Sequence, residues 1–308
     1  MRAHDRLPQE RRSAAATAAL RSAALLRGGV PATRVWRMLG EEPGAPPELA
    51  ALADALARGQ PISAALAAQR GEEWRVLAVA WWLAEQSGAP LSAVLERLAA
   101  ALAALERLGE RRTVLLAGPR ATIRLVATLP FVALLLGAVL GFDPLAALVT
   151  PAGSCTVIVG CALLGAGVRW ARLLADRLAS AEWVSGLECE LCWIALSGGA
   201  APSDALRRLA NGIDRFGLEW ARLAELCSNG TVRAVLVRAA SLGTPAGPML
   251  LAEAEAARAR SLAALEREAE RLAVRVLLPI GLCVLPAFIL LGVLPVLLAV
   301  LGSLDPLG

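Results

Sequence analysis

Three runs without a single charged residue, 125–142, 144–168 and 276–304, govern what this chain can fold into. In hydrocarbon every backbone N–H and C=O must be bonded within its own segment, so such runs are expected to be helices. The first is roughly eighteen residues long, at the short end of the spanning range. The third is long enough to cross with tilt. Only Gly141-Phe142-Asp143-Pro144 lies between the first two, which reads as a helical hairpin. Pro130 in the first run and Pro279, Pro286 and Pro295 in the third mark kinks, which membrane helices tolerate better than exposed ones. No ionisable side chain lies inside any run, so a proton or ion path through the chain has little support.

The arginines give the runs a direction. Arg120 and Arg124 precede the first, Arg169 and Arg172 follow the second, and Arg271 and Arg275 precede the third. The hairpin tip has only Asp143 and the C-terminal tail only Asp305. The positive-inside rule then places every Arg-rich flank, and both bulky polar regions, in the cytoplasm. The protein is expected in the cell membrane as a multi-pass chain. Residues 1–12 are polar, with no apolar core of the kind a signal peptide needs.

Between the runs, a Gly-to-Pro phrase recurs: Gly28 to Pro31, Gly59 to Pro61, Gly88 to Pro90, Gly198 to Pro202 and Gly243 to Pro245. Gly suits the left-handed residue that ends a helix, and Pro suits the start of the next. Each phrase marks a helix-turn-helix joint. Helices are expected over about 13–27, 31–39, 47–58, 62–69, 73–87 and from 91 past 112, with 41–47 a loop. Trp74, Val76, Leu77, Trp81 and Leu83 form an apolar stripe that reads as bundle core.

The missing residues exclude chemistry. Every base except His4 is Arg, so there is no lysine for a phosphate loop or a Schiff base. One histidine cannot furnish a multi-His metal site, and no catalytic triad is in view. Cys189 and Cys192 form a C-x-x-C without a second pair, on a run that reads as helix, which favours core packing over metal or redox work. Glu85 and Asp204 have no partner constellation; Asp204 reads as first-turn charge facing a helix dipole. Arg and Glu are interleaved and aromatics are few, unlike a nucleic-acid-binding stripe. No cofactor, metal or catalytic residue is expected, and the chain reads as a non-enzyme.

The chain also reads as duplicated. Gly88-Ala89-Pro90, a charged helix and Leu129-Pro130 parallel Gly243-Thr244-Pro245, a similar helix and Leu285-Pro286. The expected fold is all-α: an integral membrane protein with two cytoplasmic helical-bundle modules, 13–124 and 169–275, a transmembrane hairpin 125–168 and a third transmembrane helix 276–304. The charged helices carry Glu96, Arg97, Arg107 and Arg111 in the first module and Glu253, Glu255, Arg258, Arg267 and Arg271 in the second. Their default reading is a solvated face with i,i+4 pairs. The sharper one is a partner contact at Arg107, Arg111, Arg267 and Arg271. Gly137 and Gly141 form a G-x-x-x-G, and Cys161 with Gly165 another small pair, at spacings that let helices approach closely.

Ser87-Gly88-Ala89-Pro90-Leu91, the joint from Leu196 to Leu206 and the terminal run with Pro279, Pro286 and Pro295 carry a family resemblance. In their order and spacing they resemble the type II secretion system F family. More narrowly the chain is similar to the inner-membrane platform proteins of Tad/Flp pilus systems from high-GC bacteria. The resemblance implies a type IV-like pilus or type II secretion platform, coupling a hexameric secretion ATPase to pilin insertion. It implies pilin transmembrane helices, a sister platform protein and the lipid bilayer as partners, no nucleic acid, and a homo- or hetero-oligomer. The alternative is a small transporter or channel subunit, for which Gly281 and Pro286 hint at a broken helix.

Overall fold

The computed structural model describes residues 8–139, 151–179, 185–218, 230–294 and 297, and among these there is helix and no strand. The described residues divide into two compact units, one from Met1–Gly109 and Glu182–Leu262, the other from Glu110–Ala181 and Ala263–Gly308.

The first unit contains α1 (Pro8–Arg27), α2 (Ala32–Glu41), α3 (Pro47–Ala57), α4 (Ile62–Ala67), α5 (Glu72–Ser87) and the start of α6 (Leu91–Val139). Helix α1 begins five residues before the expected start at Ser13. Pro8 fits a first helical position, where its missing N–H is no loss, and Gln9 and Glu10 are good helix formers.

The joints are built as Gly and Pro suggest. Gly88 has φ 72° and the N–H of Ala89 donates to the Ala84 carbonyl, the six-to-one bond that closes a helix end. The Val94 N–H then donates to the Pro90 carbonyl, opening α6. In the two double-glycine joints the left-handed residue is the second glycine, Gly29 and Gly199, rather than Gly28 or Gly198.

The later part of the unit adds α8 (Leu187–Leu196), α9 (Pro202–Phe216), α10 (Thr231–Leu242) and the start of α11 (Ala246–Arg275), with α7 (Pro151–Ala179) belonging to the second unit. One buried core takes Trp36, Trp74, Trp81 and Leu95 from the early helices together with Leu187, Leu191, Ile194, Leu209 and Leu250 from the later ones. Two sequence modules thus share a single interior. Each fully buried large side chain contributes about 1.5–3 kcal/mol of transfer free energy. Trp36 meets Trp81 edge-on with ring centroids 5.7 Å apart, a favoured aromatic geometry.

The second unit holds α7 and the later parts of α6 and α11. Among the described residues, Leu91–Val132, Ser154–Asp176 and Ala246–Val293 are long and apolar enough to cross a membrane. The outward faces carry Phe131, Leu135, Leu136, Ile158, Leu278, Leu282 and Leu285, all exposed. An apolar surface of this extent calls for a non-aqueous surrounding.

The terminal stretch continues through its prolines rather than breaking. It consists of Leu277–Pro279, a π-helical Ile280–Val284, Leu285–Phe288 and a second π-helical Ile289–Val293. Between α11 and Leu277 the Val276 N–H still donates to the Leu272 carbonyl at 3.0 Å, although Pro279 has no N–H to return to the Arg275 carbonyl. Ahead of Pro286 the bonding shifts to five-residue spacing, with the Leu285 N–H donating to the Ile280 carbonyl.

Candidate functional site

Helix α8 is short, yet it is pinned at both ends. At its start Gly186 sits in the left-handed region with φ 85°. A Cβ there would fall 2.6 Å from the Ala254 carbonyl oxygen of α11. At its far end Gly198 packs on the Ser87 carbonyl, where any Cβ would collide with backbone. The Ser87 hydroxyl donates to the Leu83 carbonyl at 2.8 Å and reaches the Ile194 carbonyl at 3.3 Å. Arg208 closes the same corner by donating to the Gln86 carbonyl at 3.1 Å.

These close approaches set the charge geometry. Glu190 is four residues after Gly186, and Arg258 four after Ala254, so each stands one turn along from the backbone contact. Glu190 is 1% exposed, Arg258 12% and Arg97 of α6 26%. Arg97 grips Glu190 with two bonds, Nε to Oε2 and Nη2 to Oε1, each 3.0 Å. Arg258 donates Nη2 to the same Oε1 at 2.9 Å. Arg97 also reaches Glu255 at 2.9 Å, a carboxylate 64% exposed.

Forked guanidinium–carboxylate bonds are among the stronger hydrogen bonds. Burial alone lowers the Arg97 pKa, but the hydrogen bonds and attraction of Glu190, and then of Glu255, outweigh it and raise the pKa above its ordinary value. Glu190 also lies in the first turn of α8, where the helix dipole favours negative charge. The solvated-face reading therefore fails for Arg97 and Arg258, which turn inward. Sequence reasoning missed Glu190; its one signal was the pair of carboxylates, Glu188 and Glu190, in the otherwise apolar run Leu187–Leu196.

The neighbouring thiols are inert. Cys189 and Cys192 are free and fully buried. Burial pushes the Cys192 thiol up to about 12 and raises Cys189 as well, with Glu188 adding to the effect there. A nucleophilic or metal-binding cysteine needs its thiolate, which this setting disfavours. Glu85 is occupied by the Trp81 indole N–H at 2.7 Å, and Asp204 pairs with Arg207 in the first turn of α9.

In the second unit, α7 lies against the terminal stretch through two glycines. A Cβ at Gly160 would fall 2.5 Å from the Leu291 side chain, and one at Gly167 would fall 2.8 Å from the Cys283 Cβ. Gly160 and Gly167 are seven residues apart, which puts them on one helix face. The small pair singled out from sequence differs: Cys161 is exposed, and a Cβ at Gly165 would meet nothing within 4 Å. Gly137 lies within α6. Gly141 and Pro295 fall outside the described residues.

Residues 19–138 match the family model for Type II secretion system (T2SS), protein F. This stretch thus carries a protein F domain, running from within α1 almost to the end of α6. It includes the first three joints, Arg97, Arg107, Arg111 and most of the first uncharged run. No curated protein matches the chain.

The four arginines expected to meet a partner are all exposed. Within the protein F domain, Arg107 donates Nε to its own helix at the Ala103 carbonyl. Arg111 pairs with Glu266 at 3.6 Å. Beyond the domain, Arg267 donates to the Ala263 carbonyl and Arg271 pairs with Glu268. The structure brings Arg111 to the second charged helix, while Arg107, Arg267 and Arg271 are held along their own helices.

Proposed function

We propose that this chain is an inner-membrane platform protein of a type II secretion or Tad/type IV-like pilus machine, without enzymatic activity of its own. The observation that carries the reading is the protein F domain, whose last helix continues unbroken from Leu91 into an uncharged run. A long helix is stiff enough to pass displacement along its axis. The cytoplasmic modules, 13–124 and 169–275, take conformational work from a hexameric secretion ATPase. The three transmembrane helices offer their apolar faces to pilin transmembrane helices, alongside a sister platform protein or a second copy. The Arg flanks at 120, 124, 169, 172, 271 and 275 orient both modules to the cytoplasm. The arginine-only basic set fits a high-GC genome.

Co-purification of the detergent-solubilised protein with the secretion ATPase of the same organism tests this, with capture and ATPase rate read together. Capture with altered turnover is the expected result. Charge reversal at Arg107, Arg111, Arg267 and Arg271 should then weaken capture; if it leaves capture and pilus assembly intact, the charged-helix contact is wrong. Around Gly281 and Pro286 the backbone passes through two π-helical turns, and substrate flux in liposomes holding this protein alone would favour the transporter alternative.

A further inference from the structure

Glu190 joins two helices that are distant in sequence. Its two oxygens take three N–H donors, two from Arg97 on α6 and one from Arg258 on α11. Both helices lead on toward uncharged runs, α6 to Val139 and α11 to Arg275. A leucine at 190 would pack against either helix at many rotations. A buried carboxylate held by a fork and a third donor narrows the geometry its partners can adopt, whereas swapping such an ion pair for apolar residues of similar volume is often neutral in stability. Gly186 packs on the Ala254 backbone one turn before Arg258, so α8 and α11 are in close contact beside the charge cluster.

We propose that Glu190 is a positioning residue that fixes α6 and α11 to one another in a single register within the first unit, so that the two helices shift as a pair. Glu255, mostly exposed and also bonded to Arg97, sits at the rim and steadies that guanidinium without completing the buried contact. The proposal stands on this cluster and is independent of the ATPase assignment.

The test uses the full chain in detergent micelles with its native cysteines replaced. Spin labels go on Ala100→Cys of α6 and Ala259→Cys of α11, both exposed positions. Double electron–electron resonance then gives the distance distribution between them. The apolar triple Arg97→Met/Glu190→Leu/Arg258→Met should keep the melting temperature near that of the parent, yet broaden the distribution roughly twofold or more. Arg97→Lys keeps the charge and loses the fork, and should broaden it too. A melting temperature held in the triple with an unchanged narrow distribution would overturn the proposal. If the triple does not fold, Arg97→Lys decides: an unbroadened distribution there overturns it equally.

Discussion

Gly198 packs against the carbonyl oxygen of Ser87, so the fourth Gly-Pro joint rests on the third. The two belong to different sequence modules, and their contact is backbone to backbone. Gly199 beside it has φ 82° and open space around its Cβ position.

The neighbouring glycines should therefore respond differently to alanine. Gly198→Ala forces backbone apart and is expected to cost about 3 kcal/mol, at the upper end of overpacking effects. Gly199→Ala meets only the left-handed penalty, about 1 kcal/mol. Unfolding followed by tryptophan fluorescence in detergent separates them. Equal losses would contradict the close approach.

The glycine seam in the second unit makes a parallel prediction. Gly160→Ala and Gly167→Ala should each destabilise by about 1–3 kcal/mol, because Leu291 and Cys283 must move. Gly165→Ala, with nothing nearby, should be neutral or stabilise by up to about 1 kcal/mol through helix propensity. Thermal unfolding of the three variants in one detergent gives the comparison. A loss at Gly165 as large as at Gly160 would show that another face is packed.

Stability and partner binding should part company at the charged helices. Arg107, Arg111, Arg267 and Arg271 are exposed and make only local or rim contacts. Reversing each charge should change folding stability by no more than about 0.5 kcal/mol. Any fall in ATPase capture can then be read as a lost contact. A large drop in melting temperature for Arg111→Glu would instead give its pair with Glu266 a structural role.

The buried thiols give a pH signature. The Cys192 pKa rises from 9.0 to about 12 on folding, so the folded state holds a proton that the unfolded state releases above pH 9. Stability should be unaffected below that point and fall as pH rises toward 12. Cys192→Ala should lessen the fall, with the buried Cys189 thiol sustaining the rest, measured as melting temperature between pH 8 and 10.5. In native alkylation, the peptide containing Cys189 and Cys192 should stay unmodified until the chain is denatured. Labelling at neutral pH in the folded protein would show that the site opens.

Much of the local structure was legible because it depends on neighbours in sequence. Gly88 and Pro90 end one helix and open the next through their own backbone limits, whatever packs on them. The stripe of Trp74, Val76, Leu77, Trp81 and Leu83 is buried throughout, since no charged residue falls between Val76 and Ala84. Charge was harder to read. Arg97 looked like one more solvated arginine because its partner, Glu190, is 93 residues away. In the same way Gly160 and Gly167 carried no warning, as their partners lie on a helix more than a hundred residues later.

The sequence by itself determined that this chain is helical and that three of its segments need an apolar surrounding. Uncharged length and the Gly and Pro backbone preferences settle those points without long-range contacts. Only the tertiary structure decided which glycines pack closely, which arginines turn inward, and that both modules share one core. Those outcomes depend on which surfaces meet across the chain. A carboxylate becomes buried and paired, as Glu190 does, only when helices from both modules close around it.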